Sequence, residues 1–468
     1  MSDKSMPSTT SLSNDVRCSL DAEDQAAPKS QSALPGSEHP PNVLATLPLL
    51  HGEMTLAEAL DEEDNMLFPL AYSSQREDFL FWIYEHRDDF KNLVSLHLGL
   101  ASNETCRFGE FREWKHGSFN VCIPIYVDNW KRHPGKRVLL RLPLPYKVGE
   151  STCPGNSNEK LRAEIAAFIW IQENCSHIPI PFLWGFGFPS GQSSVMGHGY
   201  LIMDYIETTD AKMLSESWDE FCHDRDLRTN FFKDLSRIML ALSQLPLPRI
   251  GSWTIDERGV LMLTNRPLAH HFHSLENEGI PTNIPRNLTY TTTDAYYADL
   301  LACHDSRIRN QPNSMTNEED GLLQMAKMLA PPYWITNRGV DELRGEELRT
   351  FEKACEEFMD IFEEEEKSFP SVYGSTVYRA DIMRRGWKIG NFWYSHALKS
   401  PKGLFNLFVQ HIQPIFEPRR DIRFAQMVSA YWAPDAREVV AAKLADKKEY
   451  EQQLRQLFKD AGRSEVNL

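Results

Sequence analysis

Cysteine pairs are what this chain most clearly lacks: its eight cysteines are scattered singly over 468 residues, with no C-x-x-C step and no zinc-ligand spacing. That pattern argues against a disulfide framework and fits a reduced intracellular compartment. No run approaches the roughly 20 apolar residues needed to cross a bilayer, and the amino terminus has no apolar stretch of signal-peptide length. A soluble, cytoplasmic protein without a membrane partner is therefore expected. There is also no basic block, and the formal net charge of -16 argues against nucleic acid as the main partner. With 41% hydrophobic residues the chain can still bury a sizeable core.

Residues 1–48 are rich in Ser, Pro, Asp and Ala without a sustained apolar period, and are expected to be a disordered tail. From Leu67 onward Phe79, Trp82, Ile83, Phe90 and Leu93 recur at helical spacing. Residues 49–207 then form a first region of helices and strands, and 208–434 a mostly helical second one. Within the second, Phe232, Leu235, Ile238 and Leu242 predict a core helix over 231–245, and a helix is expected from about Glu318 to Ala330. Leu348, Phe351, Cys355, Phe358 and Phe362 predict another, with Glu363 to Glu366 on its outer face. Residues 387–394 and 404–409 supply an aromatic-rich helical stretch. Residues 435–468 are expected to end in a solvent-facing helix.

The chemistry concentrates in 136–207. A strand, Val138-Leu-Leu-Arg141, brings in a cation; an amphipathic segment follows with Glu164, Phe168, Trp170 and Ile171; then Tyr200-Leu-Ile-Met203 is a buried strand leading into Asp204, Tyr205, Ile206 and Glu207. A cation on a strand and a carboxylate on the next helix suit a phosphate site, because the acid pairs with the base and fixes it. Upstream, Gly117 and Ser118 sit in a turn between extended segments. Such a turn is either a plain hairpin or a cover for phosphates through backbone N–H groups.

The wording of several segments is also familiar. Arg141-Leu-Pro-Leu-Pro-Tyr-Lys147, Pro154-Gly-Asn156, Asn158-Glu-Lys-Leu-Arg-Ala-Glu164, Trp170-Ile-Gln-Glu-Asn174 and Ile180-Pro-Phe-Leu-Trp-Gly-Phe186 resemble the large fungal branch of the aminoglycoside phosphotransferase-like family. The resemblance runs, with one gap, from about Ser73 to Val428. It implies an α+β, protein-kinase-like fold of two lobes, a small mixed-sheet first lobe and a mostly helical second. It implies ATP between the lobes and a small hydroxylated substrate. Gly117 and Ser118 would cover the phosphates, Arg141 and Glu164 would hold them, and the backbone of Asp204, Tyr205 and Ile206 would meet the adenine.

One passage of that family is missing. Its catalytic loop, H-x-D-x-x-x-x-N, and the magnesium-binding Asp that follows normally precede the motif beginning Pro332-Tyr-Trp334, whereas here Ala330 runs directly into Pro331. No H-x-D-x-x-x-x-N occurs elsewhere. His86-Arg87-Asp88 has Leu93 where the Asn belongs and is expected on an exposed helical face. Asp224 and Asp226 belong to an exposed acidic helix. His270, His271 and His273 lack a further ligand at a regular distance, so no metal site is assigned. The expectation is a phosphotransferase-like chain that binds ATP weakly, does not hold magnesium and is catalytically inactive as written, with no catalytic residue named. An active kinase of a small metabolite and a nucleotide-independent interaction protein on the same scaffold are the alternatives.

Overall fold

The chain's structure is a computed structural model that describes residues 46–189, 197–315, 343–369, 378–390, 392–393, 396–397, 407–416 and 435–465. Two short strands, β1 (Thr46–Pro48) and β2 (Glu53–Thr55), pair as a ribbon. Helix α1 (Leu56–Asp61) starts from a capping box, in which the Thr55 hydroxyl accepts from the Glu58 N–H and the Glu58 carboxylate accepts from the Thr55 N–H. Helices α2 (Leu67–Glu85) and α3 (Arg87–Leu98) follow. The last three residues of the expected tail thus belong to β1, where Leu47 packs beside Ala59, Leu454 and Phe458; the rest of the expected tail lies outside the described residues.

The main sheet is built from β3 (Thr105–Phe108), β4 (Lys115–His116), β5 (Asn120–Asp128), β6 (Arg137–Pro143), β7 (Leu183–Gly187) and β8 (Tyr200–Asp204), in the order β3-β5-β6-β8-β7 with β4 also on β5. Val121, Ile123, Ile125 and Val138, Leu140, Leu142 alternate inward, the period of two that gives a strand one apolar face. That face packs on Phe79, Ile83, Phe90 and Val94 of α2 and α3. The opposite face is covered by α5 (Asn156–Asn174), through Leu161, Ile165 and Ala166 against Leu139, Leu201 and Met203. With both faces covered, β8 is buried at each position from Tyr200 to Met203.

The expected mixed sheet is corrected by the pairing, which is antiparallel throughout the described strands. The α5 crossover does return the chain so that β7 runs parallel to β6. However, β8 inserts between the two and is antiparallel to both. His86, Arg87 and Asp88 mark the break between α2 and α3: the His86 ring stacks on Trp82 at 4.5 Å, and Asp88 pairs with Lys91 on the exposed first turn of α3.

After a short helix α4 (Pro145–Val148) and α5, the second region contains α6 (Leu214–Phe221), α7 (Arg225–Ser243), the hairpin β9 (Ser252–Ile255) and β10 (Leu261–Asn265), α8 (His270–Asn277), α9 (Thr293–Asn310), α10 (Gly345–Ser368), α11 (Arg379–Lys388) and a terminal α12 (Ala436–Glu465). The predicted 231–245 helix begins at Arg225, because the Asp224 carboxylate caps it, accepting from the N–H groups of Asp226 and Leu227. The helix expected from Glu318 and the Ala330–Pro331 junction lie outside the described residues, as does part of the aromatic stretch.

Two expectations about exposure are corrected. Glu366 does not lie on the outer face of α10. It falls four residues after Phe362 on the apolar stripe, is buried, and accepts from the N–H groups of Arg379 and Ala380 at 2.7 and 2.8 Å, capping α11. The terminal helix α12 is not simply solvent-facing either: Val440, Tyr450, Leu454 and Phe458 are buried, and Tyr450, Leu454 and Phe458 pack on Ala59, Met66 and Leu70. Most of its charges occupy the other faces, as an amphipathic period allows, whereas Lys443 is buried beside Val440 and donates to the Gln311 carbonyl at 3.2 Å.

The deepest polar feature joins the two regions. Arg266, just after β10, is 1% exposed and lies between Glu159 on α5 and Glu276 on α8. It donates to both oxygens of each carboxylate at 2.7–3.0 Å. Arg286 adds a second cation at 3.2 Å from Glu159, so two guanidinium groups offset two carboxylates. Thr282 and Asn156 donate further bonds to Glu276, and Asn265 to Glu159, filling remaining lone pairs of the same oxygens. A buried ion pair of this kind adds little over an apolar core, yet removing one partner strands the other. We expect Arg266→Ala to lower stability by about 3–5 kcal/mol. Loss of the solvent-exposed Arg112–Glu110 pair should change it far less. Urea unfolding of the two variants is the measurement; equal, small effects would contradict the network's role.

Candidate functional site

The face of the sheet that meets α5 carries the predicted pair. Val138, Leu140 and Leu142 point to the α3 side, so the intervening Arg141 points to α5, opposite Cys122 on β5 and Leu201 on β8. On α5 the positions 160, 164 and 168 form one stripe at helical spacing. Arg141 donates to Glu164 Oε1, and Lys160 donates to Glu164 Oε2 at 3.0 Å. Lys160 was not singled out in the sequence. It also donates to Asn120 Oδ1 at 2.9 Å, at the first residue of β5. Burial pushes its ammonium below the usual lysine range, with Glu164 opposing that shift.

Asn120 links this group to the β4–β5 turn. Gly117 N–H bonds the Asn120 carbonyl at 3.0 Å, and the Phe119 carbonyl accepts from Leu144 N–H at 2.9 Å, which fastens the turn to the end of β6. Gly117 and Ser118 are exposed at its tip. A Cβ on Gly117 would meet nothing within 4 Å, so crowding does not require glycine here. Arg141, Glu164, Lys160 and Asn120 thus converge below a hairpin. Two cations face one carboxylate.

Asp204, Tyr205 and Ile206 lie toward the other end of the same strands, where Asp204 pairs with Val138, three positions or roughly 10 Å from Arg141. The Asp204 carboxylate accepts from Trp184 Nε1 at 2.7 Å and from Phe182 N–H, while its own N–H bonds the Phe182 carbonyl. Tyr205 N–H reaches the Arg137 carbonyl at 3.4 Å. Arg137, also unremarked in the sequence, pins this linker: its guanidinium lies 4.0 Å from the Tyr205 ring centroid and grips the Glu207 carboxylate. That grip holds the Glu207 carboxyl below its usual range. Of the three linker residues, Ile206 is exposed and its backbone has no hydrogen-bond partner among the described residues.

The remaining candidates stay apart. Asp224 is occupied as a helix cap, and His270, His271 and His273 sit along α8. Among the described residues no three His, Cys, Asp or Glu side chains gather as metal ligands. Two cavities, of about 440 Å³ beside β3 and about 570 Å³ between α2 and α12, contain none of the predicted site residues. No described helix is long and apolar enough to cross a membrane.

Burial pushes His271 down to about 3 and His273 down to about 4. Each has a folded pKa below its unfolded value of about 6.5, so the unfolded chain binds more protons in between. Their contribution to stability is complete above about pH 6.5 and is lost as pH falls, down to about 4 for His273 and about 3 for His271. Urea midpoints measured at pH 7, 5.5 and 4.5 should decline in that order, less steeply in His273→Gln; a flat profile would contradict the assignment. Scans against protein-family models and curated proteins return no match for this chain.

Proposed function

We propose that the chain is an aminoglycoside phosphotransferase-like protein of protein-kinase-like, two-lobed fold, whose first lobe grips the phosphates of ATP at Arg141 and Lys160. The observation that carries the reading is the excess cation. Glu164 is shared between Arg141 and Lys160, both on the α5-facing side of the sheet beneath an exposed turn. An Arg fork suits phosphate oxygens in bidentate fashion, and Lys adds a point charge. The meander β3-β5-β6, a crossover helix carrying the acid, and a last strand inserted beside β6 further support it. Ile206 supplies an open backbone position for an adenine edge.

Transfer chemistry is not part of the proposal. Phosphoryl transfer needs an oriented acceptor and carboxylates that hold magnesium against the phosphates. The H-x-D-x-x-x-x-N loop that would supply them is absent from the sequence. An active metabolite kinase and a nucleotide-independent interaction protein are outcomes of the test. The expected affinity for ATP is high micromolar to millimolar, about 4–6 kcal/mol. Calorimetry should show that binding, nearly independent of magnesium and lost in Arg141→Ala. No binding would favour the interaction protein. Tight, magnesium-dependent binding with turnover would show a rebuilt metal centre.

A further inference from the structure

The hairpin above Arg141 carries a cation of its own. In the antiparallel pairings Lys115 of β4 stands opposite Cys122 of β5, and Cys122 opposite Arg141 of β6. Residues directly opposite across such a ladder share a face, with Cβ atoms about 5 Å apart. Lys115 therefore leaves the sheet on the α5-facing side, its Cβ about 10 Å from that of Arg141. Its neighbour His116 agrees with this register from the other face: burial, and then Arg76 of α2, push that imidazole below its usual range.

The middle of the row is its smallest side chain, and Cys122 is only part buried, which leaves a trough between the two cations. Of the Arg141 guanidinium, Nη1 alone is engaged, by Glu164, so Nε and Nη2 have no partner among the described residues. Lys115 is exposed, and its ammonium makes no hydrogen bond or ion pair among the described residues. Glu113, two positions earlier, does not neutralise it: that carboxylate accepts from the Tyr126 hydroxyl and the Glu110 N–H at 2.6 and 2.7 Å. Lys160 adds a third cation beside Arg141, and both share Glu164.

We infer that Lys115 binds the terminal phosphate of a nucleoside triphosphate whose phosphate chain crosses Cys122 from Arg141, an inference that rests on the phosphate reading of Arg141 and Lys160. The site then reads the number of phosphates. Arg141 holds its oxygens through a planar fork in fixed geometry, whereas a Lys on an edge strand is a mobile point charge, suited to the outermost phosphate. A diphosphate ends short of Lys115 and gains nothing from it.

The test is a phosphorus NMR titration of ATP and ADP with the full chain, without magnesium. The unaltered protein should bind ATP at least fivefold more tightly than ADP. Lys115→Gln should weaken ATP at least fivefold and ADP less than twofold, the ADP arm showing that the variant is folded, and Lys115→Arg should restore the preference. Equal effects on the two nucleotides, no effect on either, or no restoration by Lys115→Arg would overturn the role of Lys115; if both nucleotides are still lost in Arg141→Ala, the Arg141 site stands. No binding of either nucleotide to the unaltered chain would overturn both.

Discussion

Arg266, gripped by Glu159 and Glu276 with almost no exposure, is the constraint on which the arrangement of the molecule depends. Glu159 belongs to the first turn of α5, so the ion pair fixes where that helix begins relative to α8. Lys160 is the very next residue, and Glu164 lies one turn on. An error in the rotation of α5 would turn both away from Arg141. Such a cluster is a costly way to hold two elements together, and its value lies in admitting a single arrangement, since the charges tolerate no other burial.

A second set of fastenings transmits that order to the sheet. Lys160 joins α5 to Asn120, Asn120 joins the turn of Gly117, and Phe119 joins it to β6. Arg137 does the same at the opposite end, clamping Tyr205 and Glu207. Both ends of the strand bearing Arg141 are therefore held by side chains outside the sheet's own ladder. The apolar layers on either face supply the bulk of the burial, but they do not set the spacing between cation and acid. The hydrogen-bonded charges do that.

The part of this that was legible in the sequence is local. Val138 to Arg141 and Tyr200 to Met203 announce strands, and Glu164 falls on a helical stripe, so their meeting follows from order alone. The Arg266 network was not legible, because it joins residues over a hundred positions apart, and no pattern marks one Arg before a proline as buried. Lys160 stood in a quoted motif without a role, since only the structure brings Asn120 to it. Glu366 was misjudged as part of an acidic run, although its place four residues after Phe362 already set it on the buried stripe. The sheet's sense was missed because the insertion of β8 between β6 and β7 is a tertiary choice.

The most direct measurement is photolabelling with 8-azido-ATP without magnesium, followed by peptide mapping. If the phosphates rest on Arg141 and Lys160 and the adenine meets the linker, the label falls in the segment from Tyr200 to Lys212, is competed by inorganic triphosphate, and vanishes in Arg141→Ala. Label placed elsewhere, or in that segment but unchanged by the substitution, would contradict the account.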